Sequence, residues 1–224
     1  MRPPRIPPML SIIVQTGLSA VDGLIFTERS NCPECGGSLT GYDTKQKQFA
    51  HLLVDNQKKT LYVYVKRFYC RDCHNLCYAD EPFYPNTRIG SPVIDLCVAL
   101  SMTMPANRVA AYLAAMGIIA DRTSCRHYVR NNTRHIETNN IFGIHLPLSI
   151  FSLSTFATGT GEGGRIEGAE VLAACGFPSA YRAPLHPPLP GKEGDERDEQ
   201  ENKEERKVHE PHNAGNEKRP GKED

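Results

Sequence analysis

Two short motifs, Cys32-Pro33-Glu34-Cys35-Gly36-Gly37 and Cys70-Arg71-Asp72-Cys73, frame the part of the chain that decides the fold. Each motif is a Cys-x-x-Cys pair, and 34 residues lie between the two pairs. Each pair can present two thiolates from one tight turn, and four thiolates are a common ligand set for structural zinc. The sequence therefore predicts a structural Zn²⁺ ion bound by Cys32, Cys35, Cys70 and Cys73.

The residues between the two cysteine pairs have the pattern of a β-hairpin. Two stretches rich in β-branched and aromatic residues, 49–54 and 61–69, flank the turn-like sequence Asp55-Asn56-Gln57-Lys58-Lys59. A hairpin of this length brings the second cysteine pair beside the first, which predicts a zinc ribbon over residues 31–80. Zinc binding would contribute folding free energy to a unit of about 50 residues, whose own apolar core is small.

The cysteines also allow other interpretations. Paired disulfides would require an oxidising compartment, and a redox motif would require a single Cys-x-x-Cys beside a βαβ unit. His74 and Cys77 lie close enough in sequence to replace one of the four zinc ligands. Cys97 and Cys125 fall on the apolar side of predicted helices, where we interpret them as small core residues.

Residues 88–136 change from a strand pattern to a helical one. Ser91 is placed to cap a first helix, whose apolar residues at 93, 96, 97 and 100 have helical spacing. A second helix is predicted from about Pro105 to Gly117, and Asp121 is placed to cap a third that reaches Ile136. The pattern predicts a three-helix unit that resembles a helix-turn-helix.

The third predicted helix carries a one-sided polar surface. Arginine recurs there every four residues, with threonine, histidine and asparagine alongside. Arginine can grip phosphates or the guanine edge, and asparagine can hydrogen-bond adenine, so this surface suits a DNA major groove. A solvated basic face is the alternative interpretation. The predicted DNA-binding residues are Arg122, Thr123, Arg126, His127, Arg130, Asn131 and Arg134.

The order of these motifs resembles a known family. The cysteine pairs around a hairpin, followed by Arg88-Ile89-Gly90 and a helical unit containing Asn107-Arg108-Val109-Ala110, resemble the N-terminal region of prokaryotic insertion-element, transposase-like proteins. The resemblance covers about residues 31–136 and implies a zinc ribbon joined to a helix-turn-helix that binds double-stranded DNA. DNA-cutting transposases use clustered carboxylates that hold metal ions. Between Glu137 and Pro190 the acidic residues are few and include no aspartate, so we expect no catalytic activity.

The remaining segments set the expected organisation of the chain. Residues 1–30 are predicted to be a leader of uncertain order, in which Pro3, Pro4, Pro7 and Pro8 favour extended chain over helix. Residues 137–185 are a Gly-containing segment of uncertain structure. The last 34 residues hold 8 basic and 12 acidic side chains and few apolar ones. Residues 186–224 are therefore predicted to be a disordered acidic tail. No apolar stretch has the length of a bilayer span, so a cytoplasmic location is expected.

The sequence thus predicts an α+β fold, with a small zinc ribbon followed by a three-helix unit and a disordered C-terminal tail. The expected function is that of a zinc-dependent DNA-binding protein, either an accessory or remnant protein of an insertion element or a transcriptional regulator. Binding to a palindromic site would imply a homodimer. Two alternatives stay open: an RNA-binding zinc ribbon, and an interaction module that binds a protein partner through its C-terminal half.

Overall fold

The structure is a computed structural model that describes residues 4–132, 134–159 and 166–177. These residues form a mixed α+β fold, as predicted. In chain order the elements are α1 (Pro8–Ser19), β1 (Ile25–Phe26), β2 (Leu39–Val54), β3 (Gln57–Cys70), β4 (Leu76–Tyr78), α2 (Ser91–Ser101), α3 (Ala106–Ala115), α4 (Arg122–Asn131), β5 (Thr138–Ile141), β6 (Ile144–Pro147), α5 (Leu148–Gly159) and α6 (Gly168–Ala174). None of the described helices combines the length and apolar character that crossing a bilayer requires.

The predicted hairpin is present and is longer than its apolar residues indicated. β2 and β3 pair antiparallel along almost their whole length, from Leu39 opposite Cys70 to Val54 opposite Gln57. Asp55 and Asn56 form the connection with φ values of 51° and 60°. Positive φ at both central residues is the hallmark of a type I′ turn, which matches the twist of the two strands. The hairpin therefore carries the two cysteine pairs at its open end.

Residues 8–19, within the predicted leader of uncertain order, form a helix despite the prolines that favour extended chain. α1 begins at Pro8 and buries Leu10, Val14 and Leu18. A proline at the first helical position loses nothing, because the N–H group that it lacks has no partner within the helix anyway. Ser11 and Gln15 then hydrogen-bond to the carbonyls of Ala115 and Met116 at the end of α3. The segment is therefore part of the core.

Three helices occur where the periodicity predicts them. α2 is buried on nearly all sides and contacts both α3 and α4, which also contact each other. The predicted cap at Asp121 is confirmed, since its carboxylate accepts hydrogen bonds from the amides of Thr123 and Ser124 at 2.7 and 2.9 Å. The predicted cap at Ser91 is wrong: Ser91 is the first helical residue, and Gly90 precedes it without a side-chain cap.

The turn between α3 and α4 is joined to the sheet by its backbone. Gly117 accepts a hydrogen bond from the amide of Leu53 at 2.7 Å, and the amide of Ile119 donates to His51 at 2.9 Å. Gly117 has a φ of +82°, and a side chain there would collide with Gln15 of α1. The hairpin and the helical unit, which the sequence presented as separate, therefore share one core.

The segment after α4 has regular structure that its sequence did not make clear. β5 and β6 form a second hairpin, and α5 packs against α1 at Gly17, where a Cβ atom would lie 2.9 Å from the carbonyl oxygen of Ile150. α6 ends where Gly176 takes a φ of +68°. The acidic tail predicted over residues 186–224 lies outside the described residues.

Candidate metal centre and nucleic-acid interface

The structure brings the four predicted zinc ligands together. The Sγ atoms of Cys32, Cys35, Cys70 and Cys73, the four-cysteine cluster, lie within 4.8 Å of one another. The Cys32 and Cys73 sulfurs are 3.6 Å apart, and the Cys35 and Cys70 sulfurs are 3.5 Å apart. Four thiolates around Zn²⁺ at about 2.3 Å would stand about 3.8 Å apart. The cluster can therefore hold a metal ion of that size.

The backbone of each cysteine pair turns tightly in the same way. The residue that follows the second cysteine of each pair, Gly36 or His74, adopts a positive φ of 72° or 62°. Its amide donates a hydrogen bond to the carbonyl of the first cysteine of the same pair. The distance is 2.9 Å from Gly36 to Cys32 and 3.1 Å from His74 to Cys70. The two turns thus direct the sulfurs of both cysteine pairs toward the four-cysteine cluster.

Residues between the two turns hold them together. The amide of Ser38 donates to the carboxylate of Asp72 at 3.1 Å, and the amide of Arg71 donates to the carbonyl of Ser38 at 3.1 Å. A Cβ atom at Gly37 would overlap the Asp72 carboxylate, so the close approach requires glycine. The Gly-Gly sequence after Cys35 therefore serves two purposes: Gly36 supplies the turn and Gly37 leaves room for the second pair.

The thiols of the four-cysteine cluster differ in pKa because their hydrogen bonds and burial differ. The backbone amides of Cys35 and Glu34 lower the pKa of Cys32 to about 7. A backbone hydrogen bond at Asn75 also favours the thiolate of Cys73, but burial and the three neighbouring thiols outweigh it and raise its pKa to about 12. Four thiolates at this spacing repel one another, so all four become ligands together only when a cation neutralises them.

The two residues that could have replaced a ligand lie elsewhere. His74 pairs its ring nitrogen with the Tyr69 hydroxyl at 2.8 Å. Cys77 is 7% exposed and packs within the apolar core. Cys97 and Cys125 are fully buried, as expected of core residues, with their sulfurs 3.9 Å apart. Among the residues described, the four-cysteine cluster is the one group of three or more potential metal-ligating side chains that converge.

The third predicted helix presents most of its predicted DNA-binding residues on one exposed face. Cys125 is buried against the core, while Tyr128 and Val129 are half-buried. Positions i, i+1, i+4, i+5, i+8 and i+9 lie on the opposite side of the helix and are exposed. These exposed residues, the arginine face, are Arg122, Thr123, Arg126, His127, Arg130 and Asn131.

The charge of the arginine face is not neutralised by the surrounding fold. Within the described part of the chain, no carboxylate forms an ion pair with Arg122, Arg126 or Arg130. The nearest acid in sequence, Asp121, directs its carboxylate to the helix amides as the N-cap, and those hydrogen bonds lower its pKa. Three guanidinium groups thus face solvent on a capped helix.

The seventh predicted DNA-binding residue, Arg134, is not on this face. α4 ends at Asn131, and Asn132 has extended backbone angles of −123° and 105°. The Asn132 side chain accepts a hydrogen bond from the Arg134 amide at 3.4 Å, a local bond that competes with helix continuation. Arg134 instead places its guanidinium 5.3 Å from the centre of the Tyr84 ring. The four-residue arginine repeat therefore stops one turn early.

Beside Arg134 the core contains a polar cluster that the sequence did not indicate. Asp95 is 4% exposed and accepts hydrogen bonds from the hydroxyls of Tyr84 and Ser149. Burial raises the pKa of Asp95 to about 6 despite both bonds. Tyr84 lies in a segment with the composition of a linker. No sequence pattern there indicates that Tyr84 contacts α2. Only the folded arrangement brings these residues together.

Comparison of the chain with protein-family models, with curated proteins and with solved structures found no match.

Proposed function

We propose that this protein binds duplex DNA through the arginine face of α4 and holds a structural Zn²⁺ ion in the four-cysteine cluster. In this proposal the helices α3 and α4 act as a helix-turn-helix, and the β2–β3 hairpin with its cysteine turns acts as a zinc ribbon. We propose no catalytic role. The setting we favour is an accessory or remnant protein of an insertion element, or a transcriptional regulator.

The observation that carries the proposal is the arginine face itself. Three guanidinium groups that form no ion pair with any described carboxylate share one exposed side of a helix with Thr123, His127 and Asn131. A DNA groove offers phosphates to arginine and base edges to arginine and asparagine. Burial of the opposite side of the helix fixes its orientation, so side chains on the exposed face could enter a groove together without rearrangement of the core.

The proposed zinc ion is supported by the chemistry of its ligands. Thiolate sulfur prefers soft and borderline ions such as Zn²⁺, and four sulfurs with no open position are typical of a structural site. The sulfur–sulfur distances of 3.5 and 3.6 Å need little adjustment to reach a tetrahedral arrangement. When bound, the ion would neutralise the charge of the thiolates and crosslink the two cysteine pairs at the open end of the hairpin.

The test is fluorescence anisotropy of the full, zinc-loaded chain with mixed-sequence duplex DNA over a series of salt concentrations. We expect the logarithm of the affinity to fall linearly with the logarithm of salt, with a slope of about −0.9 for each phosphate contacted. Arg126→Ala and Arg130→Ala should each weaken binding about tenfold without lowering stability, because both side chains are exposed. Exposed Arg5, outside α4, provides the charge-matched control Arg5→Ala.

The outcomes separate this proposal from its alternatives. Absence of duplex binding at low salt by a folded, zinc-loaded sample would overturn the DNA-binding proposal. Equal loss of affinity in Arg5→Ala and Arg126→Ala would indicate a non-specific effect of charge and would remove α4 from the interface. Preference for single-stranded RNA over duplex, abolished by the same α4 variants, would assign the face to RNA.

A further inference from the structure

Two neighbouring cavities beside α4 share several lining residues, and together they are called the groove here. The larger, of about 930 Å³, begins at the first cysteine turn near Pro33 and Glu34 and follows β2 and β4. The smaller, of about 590 Å³, reaches His127 and Asn131 of the arginine face. The two cavities share the residues 84–87 and Arg134 as a common wall. The groove therefore runs from the candidate metal centre to the proposed DNA-binding helix.

Flat side chains line the groove at intervals. Tyr78, Tyr84 and Phe177 line the larger cavity and are each half-buried. The Tyr84 and Phe177 rings lie 5.6 Å apart between centroids, and the Arg134 guanidinium stands 5.3 Å from the Tyr84 ring centre. Aromatic rings and guanidinium planes are the groups on which unstacked bases stack. A duplex cannot use them, because its bases are already stacked on each other.

The charge of the groove is positive. Five cations line the larger cavity against three acids, Glu34, Asp80 and Glu81. Two of the cations are paired, since Arg29 lies 3.2 Å from Asp80 and Lys47 lies 2.7 Å from Glu81. The remaining three are exposed and form no ion pair with any described residue. These free cations are Lys45, Arg88 and Arg134.

Amide groups complete the smaller cavity. Asn86, Asn131 and Asn132 all line it, together with the rings of Tyr128 and His127. An amide offers both a donor and an acceptor, which is what the edge of a nucleobase requires. The groove thus combines three kinds of group: flat rings that can stack on a base, amides that can hydrogen-bond its edge, and cations that can bind its phosphate.

We propose that this groove binds a single-stranded segment of nucleic acid. Lys45, Arg88 and Arg134 bind its phosphates, and the cavity beside Tyr84 accepts an unstacked base. The proposal rests on the proposed function in one respect, because α4 forms the far wall of the smaller cavity. It goes beyond that function by assigning the protein to a junction, where duplex on the arginine face continues as a single strand along the groove.

The groove chemistry is shared by single-stranded DNA and RNA, because nothing in it singles out the 2′-hydroxyl. The test therefore uses the full, zinc-loaded chain with four probes: a blunt DNA duplex, the same duplex with a single-stranded DNA overhang, the same duplex with an RNA overhang, and the free DNA strand. We expect the overhang to raise affinity about tenfold over the blunt duplex, as one stacked base would. The two overhangs, compared directly, identify which strand is preferred.

Variants at exposed positions separate the groove from the arginine face. Arg88→Ala combined with Lys45→Ala should abolish the advantage of the overhang and leave affinity for the blunt duplex unchanged. Arg126→Ala should weaken binding of blunt and overhung duplex by the same factor. Arg5→Ala should change neither measurement. A fluorescent base analogue in the overhang should change its emission on binding to the wild type, and not on binding to the double variant.

The outcomes distinguish failure of this proposal from failure of the proposed function. Equal affinity for blunt and overhung duplex, with duplex binding intact, would overturn the groove proposal alone. Binding of the free strand that is lost in the groove variant, without any duplex binding, would support the groove and overturn the role of α4. A double variant that weakens blunt and overhung duplex equally would also overturn the groove proposal, because its cations would then contact the duplex.

Discussion

Ile118, in the turn between α3 and α4, forms an antiparallel bridge with Leu52 near the end of β2, and both side chains are fully buried. This one pairing connects the hairpin that carries the cysteines to the helices that carry the arginine face. Hydrogen bonds from Leu53 to Gly117 and from Ile119 to His51 flank it on either side. The position of α4 therefore depends on the folding of the hairpin.

Replacing Ile118 should destabilise the whole fold. We expect Ile118→Ala to lower the free energy of unfolding by about 2 to 5 kcal/mol, because it removes a fully buried side chain from the shared core. The neighbouring Ile119 is 38% exposed, so Ile119→Ala is the matched control and should cost far less. Chemical denaturation followed by circular dichroism measures both. Equal effects at the two positions would contradict the packing described for this turn.

Loss of one cluster cysteine should remove the metal and unfold the hairpin end. We expect Cys32→Ser to bind no zinc at stoichiometric concentration and to unfold at a lower temperature, because structural zinc contributes about 10 to 16 kcal/mol in small zinc-binding peptides. Cys77→Ala is the control, since Cys77 is buried outside the cluster. This prediction is tested by measuring the zinc content and the thermal unfolding temperature of both variants. Full zinc content in Cys32→Ser would rule out this site.

The buried Asp95 carboxylate should give stability a distinctive dependence on pH. Its pKa in the fold, about 6, lies above the ordinary value of 3.8, so its contribution is greatest at low pH and is lost as pH rises through about 6. From about pH 5 to about pH 7 the loss amounts to about 1 kcal/mol.

The control for this effect is Asp95→Asn, which keeps both hydrogen bonds: its amide oxygen accepts from Tyr84 and its nitrogen donates to Ser149. We expect the variant to lack that part of the pH dependence. Urea denaturation of wild type and variant at each pH gives the difference, in which acid release of zinc cancels because both proteins carry the same cluster. Parallel curves for the two proteins would show that Asp95 does not titrate in this range.

The turn of the second hairpin should tolerate a stabilising change. Phe142 and Gly143 join β5 to β6 with φ values of 53° and 77°, a geometry in which asparagine is strongly favoured over an aromatic residue at the first position. We expect Phe142→Asn to raise the free energy of unfolding by about 0.5 to 1 kcal/mol, since the ring is 64% exposed. Phe142→Leu keeps the backbone strain and should change little. A less stable Phe142→Asn would mean that the ring makes a contact in solution.

Local signals predicted α2, α3, α4 and the two cysteine turns. The caps, the apolar spacing and the Cys-x-x-Cys pairs each act within a few residues, so the sequence carries them directly. The predictions were wrong at three places: the N-terminal leader, the cap at Ser91 and the C-terminal end of α4. Tertiary contacts explain α1, which begins at the last of the four prolines, Pro8, because Leu10, Val14 and Leu18 gain burial. A local contact explains α4, which stops before Arg134 because the Asn132 side chain accepts a hydrogen bond from the Arg134 amide.

The groove and the buried cluster could not be predicted from the sequence. Lys45, Tyr84, Arg88 and Arg134 come from a strand, a linker-like segment and the chain after α4, and no spacing relates them. Likewise Asp95 is an acidic residue in the N-terminal half of α2, and an acidic side chain is expected to be exposed to solvent. Only the packing of α2 beneath Tyr84 and Ser149 turns it into a buried, hydrogen-bonded carboxylate.

The pairing of Leu52 with Ile118 also bears on how the protein avoids aggregation. In the described sheet, β2 is an edge strand, and a long edge can template pairing with another chain. The α3–α4 turn covers one end of that edge, while the rest of β2 carries Lys45 and Lys47 and two irregularities in register, at 41–44 and 48–50. Charges and bulges are both known barriers to edge-to-edge pairing. The contact that positions α4 thus also protects one end of this edge strand from pairing with a second copy of the chain.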